Sequence, residues 1–399
     1  MLPGFIGRVP VYDRALNLFA YELRPCSLTV ENDTASEAKL QKLWQSLRLE
    51  RLTGGRPGLV PFTPALEAQL QAHAWQKEAV IITLPGELLD RYPKETLQRW
   101  TEEGYMLAVR HDRYDATLAA DLEFARLWAM DASHLEEFIP HLDALHRHGL
   151  ELLVRDIETR QQYDRAFDAG CDYFQGHYFE CPRFIHGTQL PANRLAVLHL
   201  IARLNDPDIR IEEVETLVSQ DMTLSYKLLR LINSAFYGLP KQVDSIRRAV
   251  VFLGLDRIRH WAIVIAVNAI DYKPREPLVT ALVRAQTCAR IAARLGRSDV
   301  EACYIAGLFS LLDAIMDAPM TEILANLSLA EEIEQALLYG AGPIGPVLQT
   351  VLQLENGLCH KIPLPDLDLS QAMSAYLEAI EEAEAVRRVL EDQNNGGTA

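Results

Sequence analysis

The first half of the chain alternates short apolar runs with longer stretches that carry apolar residues at helical spacing. Such alternation is typical of βα units and predicts a parallel sheet. The helical stretches include residues 87–103 and 133–148. Residues 1–185 are few for an eight-fold βα barrel, which typically has about 250, so we expect a shortened or incomplete TIM-like barrel. The predicted strands are residues 59–62, 79–84, 105–109, 124–128 and 150–154.

From about residue 190 the apolar spacing is helical almost throughout. Ser245 can cap a helix that ends at Gly254, and Asp256 can cap the next helix. The preceding stretch, residues 182–191, has the composition of a linker, and Asn193 is the first helix cap that we expect after it. The predicted domains are an α/β barrel over residues 1–185 and an all-α domain over residues 190–399.

Composition narrows the class of protein. The 399 residues are 49% hydrophobic and 24% charged, which is ordinary for a soluble globular protein. A net charge of −16 argues against a nucleic-acid partner. The longest apolar run, Ala262–Val267, is too short to cross a bilayer, and no signal peptide is visible. We therefore expect a cytoplasmic protein without a membrane partner. Six cysteines without a C-x-x-C pair predict reduced thiols, since a disulfide or zinc framework would need closer spacing.

Segments of the first half resemble landmarks of the EAL domain, the bacterial family that hydrolyses cyclic di-GMP. The run DYFQGHYF at residues 172–179 is similar to the family's last strand and loop. The runs RVPVYDR at 8–14 and YELR at 21–24 look like its opening strand pair, whose second strand carries the naming Glu-Ala-Leu. This resemblance implies a barrel in which two divalent metals, held by carboxylate and amide oxygens, generate hydroxide and hold the phosphodiester.

Two blocks of the second half are similar to the HDOD domain, a relative of the HD phosphohydrolases that lacks their metal site. They are SYKLLRLINSAFYGLP at residues 225–240 and SIRRAVVFLGLDRIRHWA at residues 245–262. Where an HD hydrolase would carry its His-Asp doublet, this chain has residues 307–313, which contain no histidine. An EAL-like segment followed by an HDOD domain resembles a class of bacterial two-domain signalling proteins, which implies a link to cyclic di-GMP pathways.

The EAL resemblance also implies a set of metal ligands, and most of them are replaced. Glu22 matches the naming glutamate, while Asp131, Glu158 and Gln175 are retained. Arginine cannot shed its proton, and two unit charges repel by about 4 kcal/mol at about 4 Å and an effective dielectric of about 20. We therefore expect no catalytic residues, no metal and no cofactor. Ligands are replaced by Pro61 or Phe62, Thr83, Arg110, His111 and Arg155, and Ala129 stands where the family has its catalytic lysine.

Two hypotheses for the barrel mouth stay open. In one, Glu22 pairs with Arg110 or Arg155 for structural reasons, and Gln175 bonds the backbone of its own turn. In the other, the arginines bind phosphate directly and the barrel is a metal-free receptor for a cyclic dinucleotide. The second is weakened because the family's arginine shortly after the triplet is displaced, with Arg24-Pro25-Cys26 in its place. The candidate mouth residues are Glu22, Arg110, Arg155, Glu158 and Gln175.

Charge is distributed unevenly within the second half. Residues 227–297 carry 13 basic and 4 acidic residues, whereas residues 299–392 carry 3 and 17. Either these segments pack on each other within one domain, or the basic helices form a docking face for an acidic protein partner. The candidate docking residues are Arg247, Arg248, Arg257 and Arg259.

Three functions follow from these patterns. The first is a non-enzymatic signal-transduction protein that acts through protein–protein interaction by the HDOD domain. The alternatives are a cyclic di-GMP receptor and a residual cyclic di-GMP phosphodiesterase. A homodimer is compatible with each of them.

Overall fold

The computed structural model describes residues 5–26, 48–63, 66–67, 76–122, 124–181, 190–206, 208–234, 242–270, 274–327, 329–364 and 367–395. The chain divides into two compact units. The first holds residues 1–180 and 349–377, and the second holds residues 181–348 and 378–399. The C-terminal stretch 349–377 therefore belongs to the unit of the N-terminal barrel. The domain bounds predicted from the sequence, 1–185 and 190–399, stay a prediction, and most of the predicted linker lies outside the described residues.

Eight strands close into a barrel in the first unit, in chain order. The first strand pairs antiparallel with both the second and the eighth, and all the other pairs are parallel. The strands are β1 Ile6–Asp13, β2 Leu18–Pro25, β3 Gly58–Pro61, β4 Val80–Pro85, β5 Met106–Arg110, β6 Leu127–Asp131, β7 Glu151–Arg155 and β8 Tyr173–Phe174. The predicted TIM-like fold class is confirmed.

Of the two expected forms, the shortened barrel is confirmed and the incomplete barrel is wrong, because short connections let all eight strands close within few residues. The predicted helix over residues 87–103 is a 3₁₀ helix, Gly86–Arg91, and a short α-helix that begins after Pro93. The stretch 133–148 is likewise broken into single turns around Pro140, since proline cannot donate to a helical ladder. The α-helices of this unit before residue 181 are α1 Leu49–Thr53, α2 Lys94–Glu102, α3 Ala116–Asp121, α4 Leu135–Phe138, α5 Leu142–Arg147 and α6 Arg160–Ala169.

The second unit is helical. Ser245 accepts a hydrogen bond from the backbone of Arg248 at the start of a helix that ends at Gly254, as predicted. Asp256 and Asn193 are not caps, because each lies inside the first turn of a helix that has already begun. The helices from residue 192 onward are α7 Ala192–Leu204, α8 Ile211–Ser219, α9 Met222–Ile232, α10 Ile246–Leu253, α11 Leu255–Asn268, α12 Glu276–Arg294, α13 Val300–Phe309, α14 Leu312–Met316, α15 Met320–Leu324, α16 Glu331–Tyr339, α17 Gly345–Glu355 and α18 Leu369–Asn395.

Helix α11 is buried over most of its length, from Ile258 to Val267. A helix that is apolar around its whole circumference belongs in the centre of a helical unit, which explains the longest apolar run of the sequence. Across the part of the chain that the structure describes, no helix combines the length and the apolar character needed to span a membrane.

The thiol expectation is wrong for two cysteines. Cys26, just after β2, forms a disulfide with Cys359, which begins a 3₁₀ helix in the returning C-terminal stretch. Their Cα atoms are 5.4 Å apart although 333 positions separate them along the chain. Sequence spacing could not reveal this pair, because the fold brings residues 349–377 back to the barrel unit. Cys171, Cys181, Cys288 and Cys303 form no disulfide.

Candidate functional site

A layer of polar side chains follows directly from strand alternation. The barrel interior is packed with residues such as Ala20, Ile81, Ala108 and Leu153. A residue two positions further along a strand faces the same interior, and the carboxyl ends of the parallel strands form the mouth where barrel enzymes place their sites. Two positions beyond core residues, this layer contains Pro61 of β3 and otherwise polar residues, which are Glu22, Thr83, Arg110, Asp131, Arg155 and Gln175.

Glu22 of β2 is the centre of a hydrogen-bonded ion cluster. Arg155 of β7 donates through Nη2 to one Glu22 oxygen. Arg24 donates through Nε to the other at 2.9 Å, and Gln175 donates through Nε2 to the same oxygen at 3.1 Å. The side chains of Glu22 and Arg155 are only 14% and 8% exposed. Both carboxylate oxygens are therefore satisfied inside the barrel, two of the three donors being cationic.

The electrostatics agree with a fixed carboxylate. Burial raises the pKa of Glu22, but the guanidinium groups of Arg155 and Arg24 lower it by a larger amount. The net pKa therefore lies below the ordinary 4.5. Burial lowers the pKa of Arg24, but Glu22 raises it and the net pKa is raised. Burial raises the pKa of Asp131, but hydrogen bonds from Ser133 lower it and the net pKa is lowered. These groups keep their charges near neutral pH.

The predicted mouth residues do not all meet. Glu22, Arg155 and Gln175 come together, with the Gln175 amide on Glu22 rather than on its own turn. Arg110 is exposed at the end of β5 and acts on Glu22 through its charge, so Arg155 and not Arg110 is the contacting partner. Glu158 is exposed beyond β7, where its backbone N–H donates to Gln162 at 2.9 Å, and it lies outside the cluster.

Sequence reasoning missed Arg24 as a member of the cluster. Its guanidinium contacts Glu22 and also Asp156 at 3.3 Å. The signal was present, because residues i and i+2 of a strand share a face and Arg24 stands two positions after Glu22. Comparison with the family pattern identifies Arg24 only as a displaced arginine and gives it no partner.

The residues at the mouth do not fit a pair of divalent cations. Hard cations need several oxygen ligands that are free to coordinate, whereas both oxygens of Glu22 already accept from arginine or amide groups. Within the described ranges, no group of three or more His, Cys, Asp or Glu is placed to hold a metal ion.

The four candidate docking residues differ in exposure. Arg247 of α10 is exposed and pairs with Glu215 at 3.2 Å and Glu212 at 3.6 Å, both on α8. Arg248 is exposed and pairs with Asp244 at 2.6 Å. Arg257 is exposed at the start of α11. Arg259, only 9% exposed, lies inside the helical unit and is not available for docking.

The basic and acidic segments of this half do pair in part. Arg290 of α12 contacts Glu382 at 2.7 Å and Glu378 at 3.3 Å, both on α18. Arg294 contacts Glu378 at 3.5 Å. Internal pairing therefore accounts for these arginines of α12, while those of α10 pair with α8 and with their own turn and stay at the surface.

Helices α9 and α10, which pack together, also expose large apolar side chains. Val251 and Phe252 at the end of α10 are 78% and 53% exposed, and Met222 and Tyr226 protrude from α9. Residues four apart share a helix face, so Arg247 is followed by Val251 and Arg248 by Phe252. We call these four residues of α10 the α10 face. It combines cations with an exposed apolar pair.

A protein-family model matches residues 190–331 and is described as the HDOD domain. Residues 190–331 are an HDOD domain. The match covers helices α7 to α15 and includes the α10 face. With the closed barrel before it, the predicted two-domain protein, an EAL-like barrel followed by an HDOD domain, is confirmed.

Two relatives extend the similarity beyond the HDOD domain. The chain is 26% identical to protein YuxH of Bacillus subtilis over 94% of its own length and 97% of that protein. It is 29% identical to the cyclic di-GMP phosphodiesterase CdgJ of Vibrio cholerae over 66% of this chain and 61% of that protein. The similarity therefore covers nearly the whole length of YuxH but less than two thirds of the length of CdgJ.

Solved structures resemble the chain more distantly. The FimX EAL domain of Pseudomonas aeruginosa bound to c-di-GMP covers 44% of this chain and 88% of that domain, with 15% identity and a TM-score of 0.36. The EAL domain of Mycobacterium smegmatis DcpA covers 43% and 89%, with 14% identity and the same TM-score.

Proposed function

We propose that the protein is a non-enzymatic signal-transduction protein linked to cyclic di-GMP pathways, which acts through protein–protein interaction by its HDOD domain. The observation that carries the proposal is the ion cluster on Glu22. In this cluster Glu22, which matches the naming glutamate of the EAL family, accepts hydrogen bonds from two arginines, Arg24 and Arg155. A barrel built in this way keeps the scaffold of an EAL domain without its chemistry.

The argument against catalysis is electrostatic. A dication at Glu22 would have to displace the guanidinium groups of Arg24 and Arg155 and then stay near them. Repulsion between unit charges about 4 Å apart is about 4 kcal/mol at an effective dielectric of about 20, and a dication roughly doubles it. Neither arginine can relieve this by losing its proton. Asp131, the other acidic side chain of the layer, accepts from Ser133.

The link to cyclic di-GMP rests on similarity. CdgJ is named a cyclic di-GMP phosphodiesterase, and 66% of this chain aligns with it. A metal-free receptor is the second candidate, and the exposed Arg110 at the mouth favours it, because a guanidinium is suited to phosphate. Calorimetric titration with cyclic di-GMP separates the candidates: binding that survives chelation of magnesium favours the receptor, and no binding favours the interaction protein.

We expect no turnover of cyclic di-GMP. Purified full-length protein with magnesium or manganese should linearise the dinucleotide no faster than a control without protein, because the arginine-bound Glu22 cannot serve a metal. Chromatography of the nucleotide products measures this. Metal-dependent turnover that disappears in Glu22→Ala would contradict the proposal and support a residual phosphodiesterase.

The output is assigned to the α10 face. Its arginines are exposed, and their partners Glu212, Glu215 and Asp244 are exposed or half-buried. Pairs at the surface contribute only about 0–1 kcal/mol. Carboxylates of a partner can therefore replace Glu215 or Asp244 at little cost in free energy. Val251 and Phe252 supply apolar area beside the charges, and interfaces commonly place apolar anchors within a polar rim. This combination fits an acidic protein partner with an apolar contact.

We expect the double reversal Arg247→Glu/Arg248→Glu to weaken capture of an acidic partner at least tenfold while circular dichroism stays unchanged. Charges at an interface rim mainly steer association, so capture by the unaltered protein should also fall with salt. Pull-down by the full-length chain, followed by quantification of the bound partner, measures both effects. The matched control is Arg203→Glu on α7, an exposed arginine that also pairs with a glutamate of α8. Equal loss in the control, or no loss in the double variant, would remove the docking role from this face.

A further inference from the structure

The returning C-terminal stretch contacts the barrel beside its mouth. Glu355 ends α17, and its carbonyl lies so close to the backbone of Gly7 in β1 that a methyl group there would overlap it. Close approach of two backbones of this kind requires glycine. Phe5 and Tyr376 also pack together, with ring centroids 5.0 Å apart. We call residues 355–361 the latch.

Arg24 connects the latch with the ion cluster. One face of its guanidinium holds Glu22 at 2.9 Å and Asp156 at 3.3 Å. Its Nη1 donates to Oδ1 of Asn356 at 3.4 Å, a weaker and more exposed bond. The same side chain therefore belongs to the mouth and to the contact surface of the latch, and its exposure depends on whether the latch is in place.

The disulfide lies next to this contact. Cys26 is two residues after Arg24, and Cys359 is three residues after Asn356. Cys359 is buried, but Cys26 is only half-buried, so a small thiol can reach one of the two sulfurs. Burial raises the pKa of Cys171 to about 12 and that of Cys303 to about 11, which makes those thiols poor nucleophiles. Neither of these two thiols competes with the Cys26–Cys359 pair in thiol exchange.

We propose that Cys26–Cys359 is a reversible redox switch that fastens the latch over Arg24. In the opening step a thiolate of a dithiol reductant attacks Sγ of Cys26, and Cys359 leaves as a thiolate that takes up a proton. The second thiol of the reductant then attacks the mixed disulfide and releases Cys26 as a thiol. The reductant is oxidised to a disulfide, so two electrons and two protons pass to the protein.

The consequence of opening lies at Arg24. With the disulfide closed, Asn356 is held beside the guanidinium by a covalent bond three residues away. With it open, the latch is retained by noncovalent contacts, among them the weak Asn356 bond, and Arg24 becomes more accessible while Glu22 continues to hold it. Closing is the reverse exchange: Cys26 attacks a small-molecule or protein disulfide, Cys359 then displaces the mixed disulfide, and the two electrons and two protons leave with the reduced dithiol. In a reducing compartment disulfides of this kind are transient and serve as sensors, so a rise in such an oxidant is the signal that closes the latch.

The test uses the full-length chain in its oxidised and dithiothreitol-reduced forms. Alkylation with intact mass should find two fewer reactive thiols before reduction than after it. Hydrogen exchange of the latch should be at least tenfold faster after reduction, while β4 to β6 stay protected. Phenylglyoxal should modify Arg24 at least threefold faster, with the buried Arg155 as an internal reference. Cys26→Ser should behave like the reduced protein under both conditions, and Cys181→Ser, which alters a cysteine outside the disulfide, should behave like the wild type.

Two results would overturn the proposal. One is an equal number of alkylated thiols in the oxidised and the reduced protein, which means that the Cys26–Cys359 disulfide does not form. The other is formation of the disulfide with no change in latch exchange or Arg24 reactivity, which makes the bond merely structural. If Cys26→Ser fails to fold, the chemically reduced wild type, whose fold circular dichroism monitors, decides between these outcomes alone.

Discussion

Replacing Glu22 with alanine is expected to lower the free energy of unfolding of the barrel unit by about 3–5 kcal/mol, because it leaves a buried arginine without its carboxylate. Arg155 is the side chain most affected, since it is only 8% exposed and bonds Glu22. The melting temperature should fall by roughly 10 °C, given about 2–4 °C per kcal/mol for a unit of this size. Differential scanning calorimetry measures the change.

The control variants separate this cluster from a general loss of surface charge. Glu158→Ala removes an exposed carboxylate that lies outside the cluster and should change stability by less than about 0.5 kcal/mol. Combining Glu22→Leu with Arg155→Met removes both charges and should recover much of the loss, since a buried pair can often be replaced by apolar residues. An unchanged melting curve for Glu22→Ala would mean that the carboxylate faces solvent.

The same carboxylate gives the barrel unit a dependence on pH. The pKa of Glu22 is lower in the folded protein than in the unfolded chain, so the unfolded chain binds more protons as pH falls. Its contribution is therefore present in full above about pH 5 and is lost as pH falls through the folded-state value. The Glu22→Gln variant should show a flatter loss of stability between about pH 5 and pH 3 than the wild type does.

The polar layer of the mouth is the part of the site that the sequence could predict. Once the strands are assigned, alternation places Glu22, Arg155 and Gln175 on the interior face. Which of Arg110 and Arg155 contacts Glu22 can be decided only from the three-dimensional structure. That choice depends on barrel closure, which brings β7 across from β2. Arg24 follows from the same alternation, whereas the family pattern, which places its arginine elsewhere, hides it.

Other features depend on contacts between distant parts of the chain. The Cys26–Cys359 bond requires residues 349–377 to return to the barrel unit, and no local pattern encodes that return. The apolar run at residues 124–128 predicts a strand, but pairing with β5 begins only at Leu127. Two helices begin one residue before the predicted caps Asn193 and Asp256, at Ala192 and Leu255. A residue type that favours the cap position does not by itself fix the first residue of a helix.

In the HDOD domain, Gly307→Val is expected to disrupt the packing of two helices and with it the whole helical unit. Gly307 lies inside α13, and a Cβ atom at this position would be 2.6 Å from the backbone N and Cα of Ala285 in α12. Glycine within a helix is less favourable than alanine by about 1 kcal/mol, so its presence reflects the close approach of the two helices. Overpacking usually costs about 1–3 kcal/mol, and at Gly307 backbone rather than a flexible side chain must move.

The expected result is a lower melting temperature of the helical unit, together with loss of partner capture and of helical circular dichroism. This differs from the reversal at Arg247 and Arg248, which should lose capture with the dichroism intact. Ala302→Val on the same helix is the matched control, because it adds a β-branched side chain at a half-buried position and should cost only about 0.5–1 kcal/mol. If Gly307→Val melts like the control, α12 and α13 can separate without disrupting the HDOD domain. Partner capture that survives in Gly307→Val would then place docking on a surface that does not depend on their packing.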